Sequence, residues 1–399
     1  MIMVVILHYL DKGKILTSLS SAGRFTVTDM TAWLLEALCI VAVNLYMLMS
    51  GYLLCSSGFK LSRLLKLVAK VWLYSVIVGF VGIALGTPSE TVDTYFMLRL
   101  LFPVSMNTYW FMTAYIFFYL LVPVLGIAAR AMNRDQMKMV LVGLIFFHAV
   151  IKSLVPAQMT VDASGMDAMW YIVLFFVAVY IRRFTQLGNR CNVSAKEENA
   201  SSKAENGLHN ISSQSEDGLH NATQKRASEA LTAVILYVIG VLLIFGEAMA
   251  LRAVYLRSGS FSYILNISYS YNHVLVLIAS VALFIAFLKM NISDRAGKVF
   301  AFLGKYSLGV YLLHENLSVR YYWETFFEFP NVSSASPIVV IARVLLVGII
   351  IFVAGVIFDF AGSGIAGFVL RVLKKAPVTK LVAARIEKAD NVFSSSVRR

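Results

Sequence analysis

The chain has 399 residues, of which 59% are hydrophobic and only 14% charged. Soluble globular domains carry closer to a quarter charged residues, so this composition excludes an ordinary soluble protein and points to an integral membrane one. The formal net charge of +13 would suit a nucleic-acid ligand, but its distribution fits a membrane topology signal better.

The first element is a short apolar run, Met1–Leu10, with His8 inside it. It has neither a basic leading segment nor a small-residue cleavage site, so it does not read as a signal peptide. An ionisable side chain inside a membrane segment is costly and usually marks a working site. A spanning helix needs roughly 20 apolar residues, and about half that number precede the charged stretch Asp11-Lys12-Gly13-Lys14. Either this helix does not span or the chain has lost its beginning; the rest of the chain favours the second, and the expectation is a first helix truncated at its N-terminus.

Nine further apolar spans follow, near 32–54, 64–86, 108–128, 138–155, 168–182, 229–250, 270–289, 302–319 and 338–362. Runs this long and continuous are helical, because backbone in lipid must satisfy its own hydrogen bonds. The predicted fold is an all-α polytopic bundle of about ten transmembrane helices. Placing the N-terminus in the cytoplasm and alternating the spans puts most of the 35 Lys and Arg on the inner side, at 55–70, 129–138, 182–228, 289–305 and 363–399. The positive-inside rule then places both termini in the cytoplasm. The polar segment 186–228 reads as a disordered cytoplasmic insertion. It contains a short repeat, Glu205–Asn210 and Glu216–Asn221, whose two histidines are read as a duplication and not as metal ligands. The basic tail 366–399 reads either as an amphipathic helix on the inner leaflet or as a frayed end. Cys39, Cys55 and Cys191 are odd in number and lack ligand spacing, so neither a disulfide nor a metal site is expected.

Four clusters carry possible chemistry: His8; Ser50-Gly51-Tyr52 leading to Lys60, Arg63, Lys66 and Lys70; Asn107 to Tyr115, with Tyr109 and Trp110; and Leu303 to Asn316, with His314 and Glu315. Each has a plainer explanation. An intramembrane His can bridge helices, and His314, near a helix end, can face water. Small residues such as Ser50-Gly51 let helices approach. Tyr109-Trp110 fits an interfacial belt, and the 60–70 cations fit the topology signal.

Taken together, the phrases VVILHY, VNLYMLMSGYLL ahead of KLSRLLKL, YWFMTAYIFFYLLVPVL and LGKYSLGVYLLHENL resemble the family 3 membrane acyltransferases, which include bacterial surface-polysaccharide O-acetyltransferases. The order and spacing of all four carry the resemblance. It covers residues 1–365 as one acyltransferase domain, apart from the 186–228 insertion. It implies transfer of an acyl group, most simply acetyl, to a hydroxyl of a cell-envelope glycan at the plasma membrane. The donor would be acetyl-CoA or another acyl-CoA acting as co-substrate, with no tightly bound cofactor. His8 is then the base or transient acyl carrier, and Lys60 and Arg63 hold the coenzyme phosphates. Ser50, Tyr109, Trp110, Tyr115, His314 and Glu315 are acceptor-side or supporting residues. Relatives usually carry an Arg eleven residues before the His, a position that falls upstream of Met1, and a paired Arg where only Arg63 stands here. Rival readings are a glycan or lipid transporter or flippase, a membrane glycan polymerase or ligase, and a relative that has lost catalysis. No paired broken helices favour the transporter, and no large outer loop favours the polymerase.

Overall fold

A computed structural model describes residues 1–155, 163–185, 214–329, 332–373 and 377–395, with side chains except at 214–223, 324, 365–382 and 393–395. Cys191, His209 and the rest of 186–213 lie outside the described residues, as does the basic stretch Lys374–Ala376.

The described chain is helical, without a strand among the described residues. Helix α1 is Ile2–Lys12, α2 Val27–Cys39, α3 Ala42–Ser57, α4 Leu61–Ala84, α5 Thr94–Leu101 and α6 Trp110–Ala131. Helix α7, Arg134–Ile145, continues through a π turn at Phe146–Val150 to Leu154. Then come α8 Ala168–Phe184, α9 Gln214–Ser258, α10 Val274–Lys289, α11 Asp294–His314, α12 Pro337–Leu373 and α13 Pro377–Ser395. Seven helical stretches among the described residues are long and apolar enough to cross a membrane: Val27–Ser57, Leu61–Ala84, Trp110–Ala131, Arg134–Leu154, Gln224–Ser258, Ser262–Lys289 and Pro337–Gly364. The protein is an all-α polytopic membrane protein. The three other expected spans are also helices, α1, α8 and α11, but each is too short or too polar to join the seven.

The differences have local causes. The span expected at 32–54 is two helices, because the chain turns at Ile40–Val41 between α2 and α3. Thr26 starts α2 with a reciprocal cap, its hydroxyl accepting from the Asp29 amide while the Asp29 carboxylate accepts from the Thr26 amide. That arrangement satisfies two otherwise orphaned helix-end donors. Helix α8 has only 17 residues, but ten are buried, among them Trp170, Tyr171 and Phe175. It is a core helix packed against α3, α6 and α7, so its surface faces protein and not lipid. The close α3–α8 approach rests on Gly51. A Cβ there would lie 3.1 Å from both the Ala178 Cβ and the Phe175 Cα, and small residues permit such approaches in bilayers.

Helix α1 is held on several sides, packing on α12, α2, α11 and α3. It ends at Gly13, whose amide donates to the Tyr9 carbonyl at 2.9 Å. Any Cβ at that position would strike the Tyr9 ring. Tyr9 is itself fully buried, stacks on Trp323 and donates to the Phe327 carbonyl at 2.9 Å. Arg343 of α12 donates to the Tyr9 hydroxyl at 3.2 Å. The residue beside His8 therefore fixes the rotation of α1, and with it the direction His8 faces.

Candidate functional site

His8 meets the end of α11. Its Nδ1 lies 2.8 Å from Nε2 of His314 and 3.0 Å from Oε1 of Glu315. The Lys12 ammonium, one helical turn after His8, also bonds the Glu315 carboxylate. His314 and Glu315 are 3% and 7% exposed, so the expectation that His314 could face water is replaced by a buried contact with His8. The other ring nitrogen of His314, Nδ1, lies 2.6 Å from the Val310 carbonyl. A carbonyl only accepts, so with both rings neutral the tautomers are assigned as follows. His314 carries its proton on Nδ1 and offers Nε2 as an acceptor; His8 donates from Nδ1 and keeps an unprotonated Nε2.

The next residue along secures this corner. Asn316 is fully buried. Its Nδ2 lies 3.2, 3.3 and 3.0 Å from the Tyr74 carbonyl, the Ser75 carbonyl and the Tyr109 hydroxyl, and its Oδ1 accepts from the Ser318 amide at 3.0 Å. This ties the end of α11 to α4 and to the start of α6.

His8 lines a cavity of about 250 Å³. Apolar and aromatic side chains make most of the wall, including Tyr46, Trp110, Phe111 and Tyr311, with Ser50 and Tyr115 as polar groups at one end. A second cavity, of about 310 Å³, is lined by Ser57, Arg63, Leu64 and Tyr119, and shares Ser50, Leu67 and Tyr115 with the first. Mostly apolar concave sites with a few placed polar groups are the usual form of small-molecule pockets.

The structure thus brings His8, Ser50, Trp110 and Tyr115 around one chamber, with His314 and Glu315 bonded to His8 but outside its lining, and puts Arg63 at the next. Lys60 stands apart from both linings; it is exposed, and its backbone amide donates to the Tyr119 hydroxyl at 3.1 Å. Tyr109 is buried behind the wall, bonded to Asn316 and donating to the Leu312 carbonyl at 3.3 Å. Trp110 stacks on Tyr271, ring centroids 5.6 Å apart. Sequence reasoning passed over Lys12, although its spacing of four from His8 puts both on one helical face. Tyr46 and Tyr311, across the chamber, had no local signal.

His8, His314 and Glu315 are also the one group of three possible metal ligands among the described residues, with ligand atoms within 4.8 Å of one another. The geometry is that of a hydrogen-bonded cluster. Two nitrogens on one zinc sit more than about 3 Å apart, the histidine nitrogens are 2.8 Å apart, and the Lys12 ammonium already neutralises Glu315.

A helical membrane bundle holding a wired histidine over a buried chamber defines an integral membrane protein with the groups needed for proton transfer. The chain belongs to the family 3 acyltransferases: the family model described as an acyltransferase domain matches residues 1–360. Neither a curated protein nor a solved structure matches the chain.

Proposed function

We propose that this acyltransferase moves an acyl group, acetyl in the simplest case, from an acyl-CoA to a hydroxyl of a cell-envelope glycan, with His8 as general base. The observation that carries the reading is His8 on the chamber wall, its Nδ1 engaged by His314 and Glu315. That arrangement leaves Nε2 to take the proton of an acceptor hydroxyl. The hydroxyl oxygen then attacks the thioester carbonyl, the carbon–sulfur bond breaks, and the proton passes from His8 to the departing thiolate. Thioester and alcohol become ester and thiol, with nothing left over.

The neighbours act through His8. Glu315 stabilises the imidazolium that forms, and His314 holds the ring in its reactive orientation, the role the third group plays in nucleophile–base–orienter sets generally. Arg63 lies at the second cavity, suited to the coenzyme phosphates by its fixed fork of donors. Lys60, outside both linings, serves at most as an exposed cation near the entrance. The chain sits in the plasma membrane with both termini in the cytoplasm, the donor arriving from the side of Arg63.

Purified protein in lipid nanodiscs, given acetyl-CoA and a de-O-acetylated envelope glycan as acceptor, releases free thiol, and cells carrying it release base-labile acetate from their surface glycans. Replacing His8 with Ala lowers both by about 10²-fold or more, the usual contribution of a positioned acid–base group. A His8→Ala protein that is folded and fully active sinks the assignment.

A further inference from the structure

The two cavities meet at a wall of three side chains, Ser50, Leu67 and Tyr115. The Ser50 and Tyr115 hydroxyls face each other across it at 2.9 Å. The chamber on one side contains His8, and the pocket on the other contains Arg63. We propose that Ser50 and Tyr115 are positioning residues for the acyl donor: their hydroxyls exchange their mutual bond for bonds to an amide of the donor's pantetheine arm. This rests on the acyl-CoA reading above.

The argument is one of reach and polarity. A donor whose phosphates sit at Arg63 while its thioester lies at His8 must thread its arm through this wall. The arm carries two amides, and the wall is otherwise apolar, with Leu67 beside the hydroxyl pair and Leu53, Leu54 and Leu64 beyond. An amide entering such a wall loses its water and needs partners, or the loss is uncompensated. The two hydroxyls supply them, each able to donate or accept.

The aromatic frame fixes where those partners stand. Tyr115 stacks between Phe111, at 6.3 Å, and Tyr119, at 6.1 Å, which lie one turn before and one turn after it on α6. Tyr119 is held at its hydroxyl by the Lys60 backbone. Ser50 is placed by its neighbour, since Gly51 seats α3 against α8. The ring of Tyr115 therefore keeps its place while its hydroxyl changes partner.

Two donors separate the contacts: acetyl-CoA, and the S-acetyl thioester of N-acetylcysteamine, which keeps an amide but has no phosphates. Thiol release by the nanodisc protein, with a saturating de-O-acetylated envelope glycan as acceptor, is measured as KM and kcat for each. Tyr115→Phe and Ser50→Ala raise KM for both donors by roughly three- to tenfold, the value of one neutral hydrogen bond. Ser50→Thr, which retains the hydroxyl, stays near wild type, and Arg63→Ala raises KM for acetyl-CoA alone. A KM unchanged for both donors in Tyr115→Phe and Ser50→Ala, with or without a fall in kcat, overturns the proposal and leaves the pair a structural contact. If the wild-type protein releases thiol from neither donor, the acyl-CoA reading itself fails, a result distinct from any pattern among the variants.

Discussion

A single carboxylate, Glu315, serves both a lysine and a histidine in a nearly water-free corner. Lys12 and Glu315 have side chains 13% and 9% exposed, so each is expensive to leave alone. Removing one member of a buried pair typically costs about 3–5 kcal/mol, whereas replacing both by neutral groups can be close to neutral. Lys12→Met and Glu315→Gln should each lower the thermal midpoint in nanodiscs markedly, and the double variant should recover much of the loss. Additive losses would show that the pair is not coupled. Activity separates the roles further: the double variant regains stability but not rate, because His8 has lost its carboxylate. At this scale the sequence announced His8 by its setting and His314-Glu315 by their adjacency. It gave no hint that they touch, because 306 residues separate His8 from His314 and no local pattern encodes a contact that distant.

Helices set these contacts, and their termini and small residues do much of the positioning. Enlarging Gly51 to Val should push α3 from α8 and destabilise the protein by about 1–3 kcal/mol, the usual cost of overpacking. Because Ser50 rides on the same turn, KM should rise with it; a stable Gly51→Val protein with unchanged kinetics would remove the link between that approach and the chamber. The far end of the chain offers a second case. Helix α13 packs on α4, and the Asp390 carboxylate accepts from the Ser62 amide at 3.2 Å, a cap supplied from another helix. Its slight burial works to raise the carboxyl's pKa, but the Ser62 hydroxyl and amide outweigh it and hold it below the usual carboxylate range. A carboxyl depressed in the docked state contributes above its undocked pKa and loses that contribution as pH falls through the docked value. The protection of the Ser62 amide, the intrinsic exchange rate divided by the observed one at the same pH, should thus be high at neutral pH and fall only once the solution is acid enough to protonate Asp390. Asp390→Ala should show low protection at Ser62 throughout. Elements of this kind were legible wherever an apolar run was long. The runs at α8 and α11 are helices as expected, α8 short and packed among its neighbours and α11 with a charged first half, and the run at α2–α3 holds a turn that no local pattern announced.

Across the whole molecule, the proposed function requires a route that joins two compartments. With an acyl-CoA supplied from the cytoplasm and an envelope glycan presented outside, as proposed, His8 must be reachable from both sides while ions are kept from leaking through. Two cavities meeting at a narrow wall satisfy both demands, because the donor's own arm fills the opening it makes. The direction proposed is that of the positive-inside rule, by which clusters of Lys and Arg are retained on the cytoplasmic side. Cysteines placed singly at Glu387 in α13 and at Glu90 in the loop after α4, in a background with the native Cys39, Cys55 and Cys191 replaced, test this in intact cells. A membrane-impermeant thiol reagent should label the Glu90 position directly and reach the Glu387 position only after the membrane is opened. Labelling of both from outside, or of neither, would put donor and acceptor on one face. The chamber would then need no passage through the bundle, and the Ser50–Tyr115 wall would have no arm to admit.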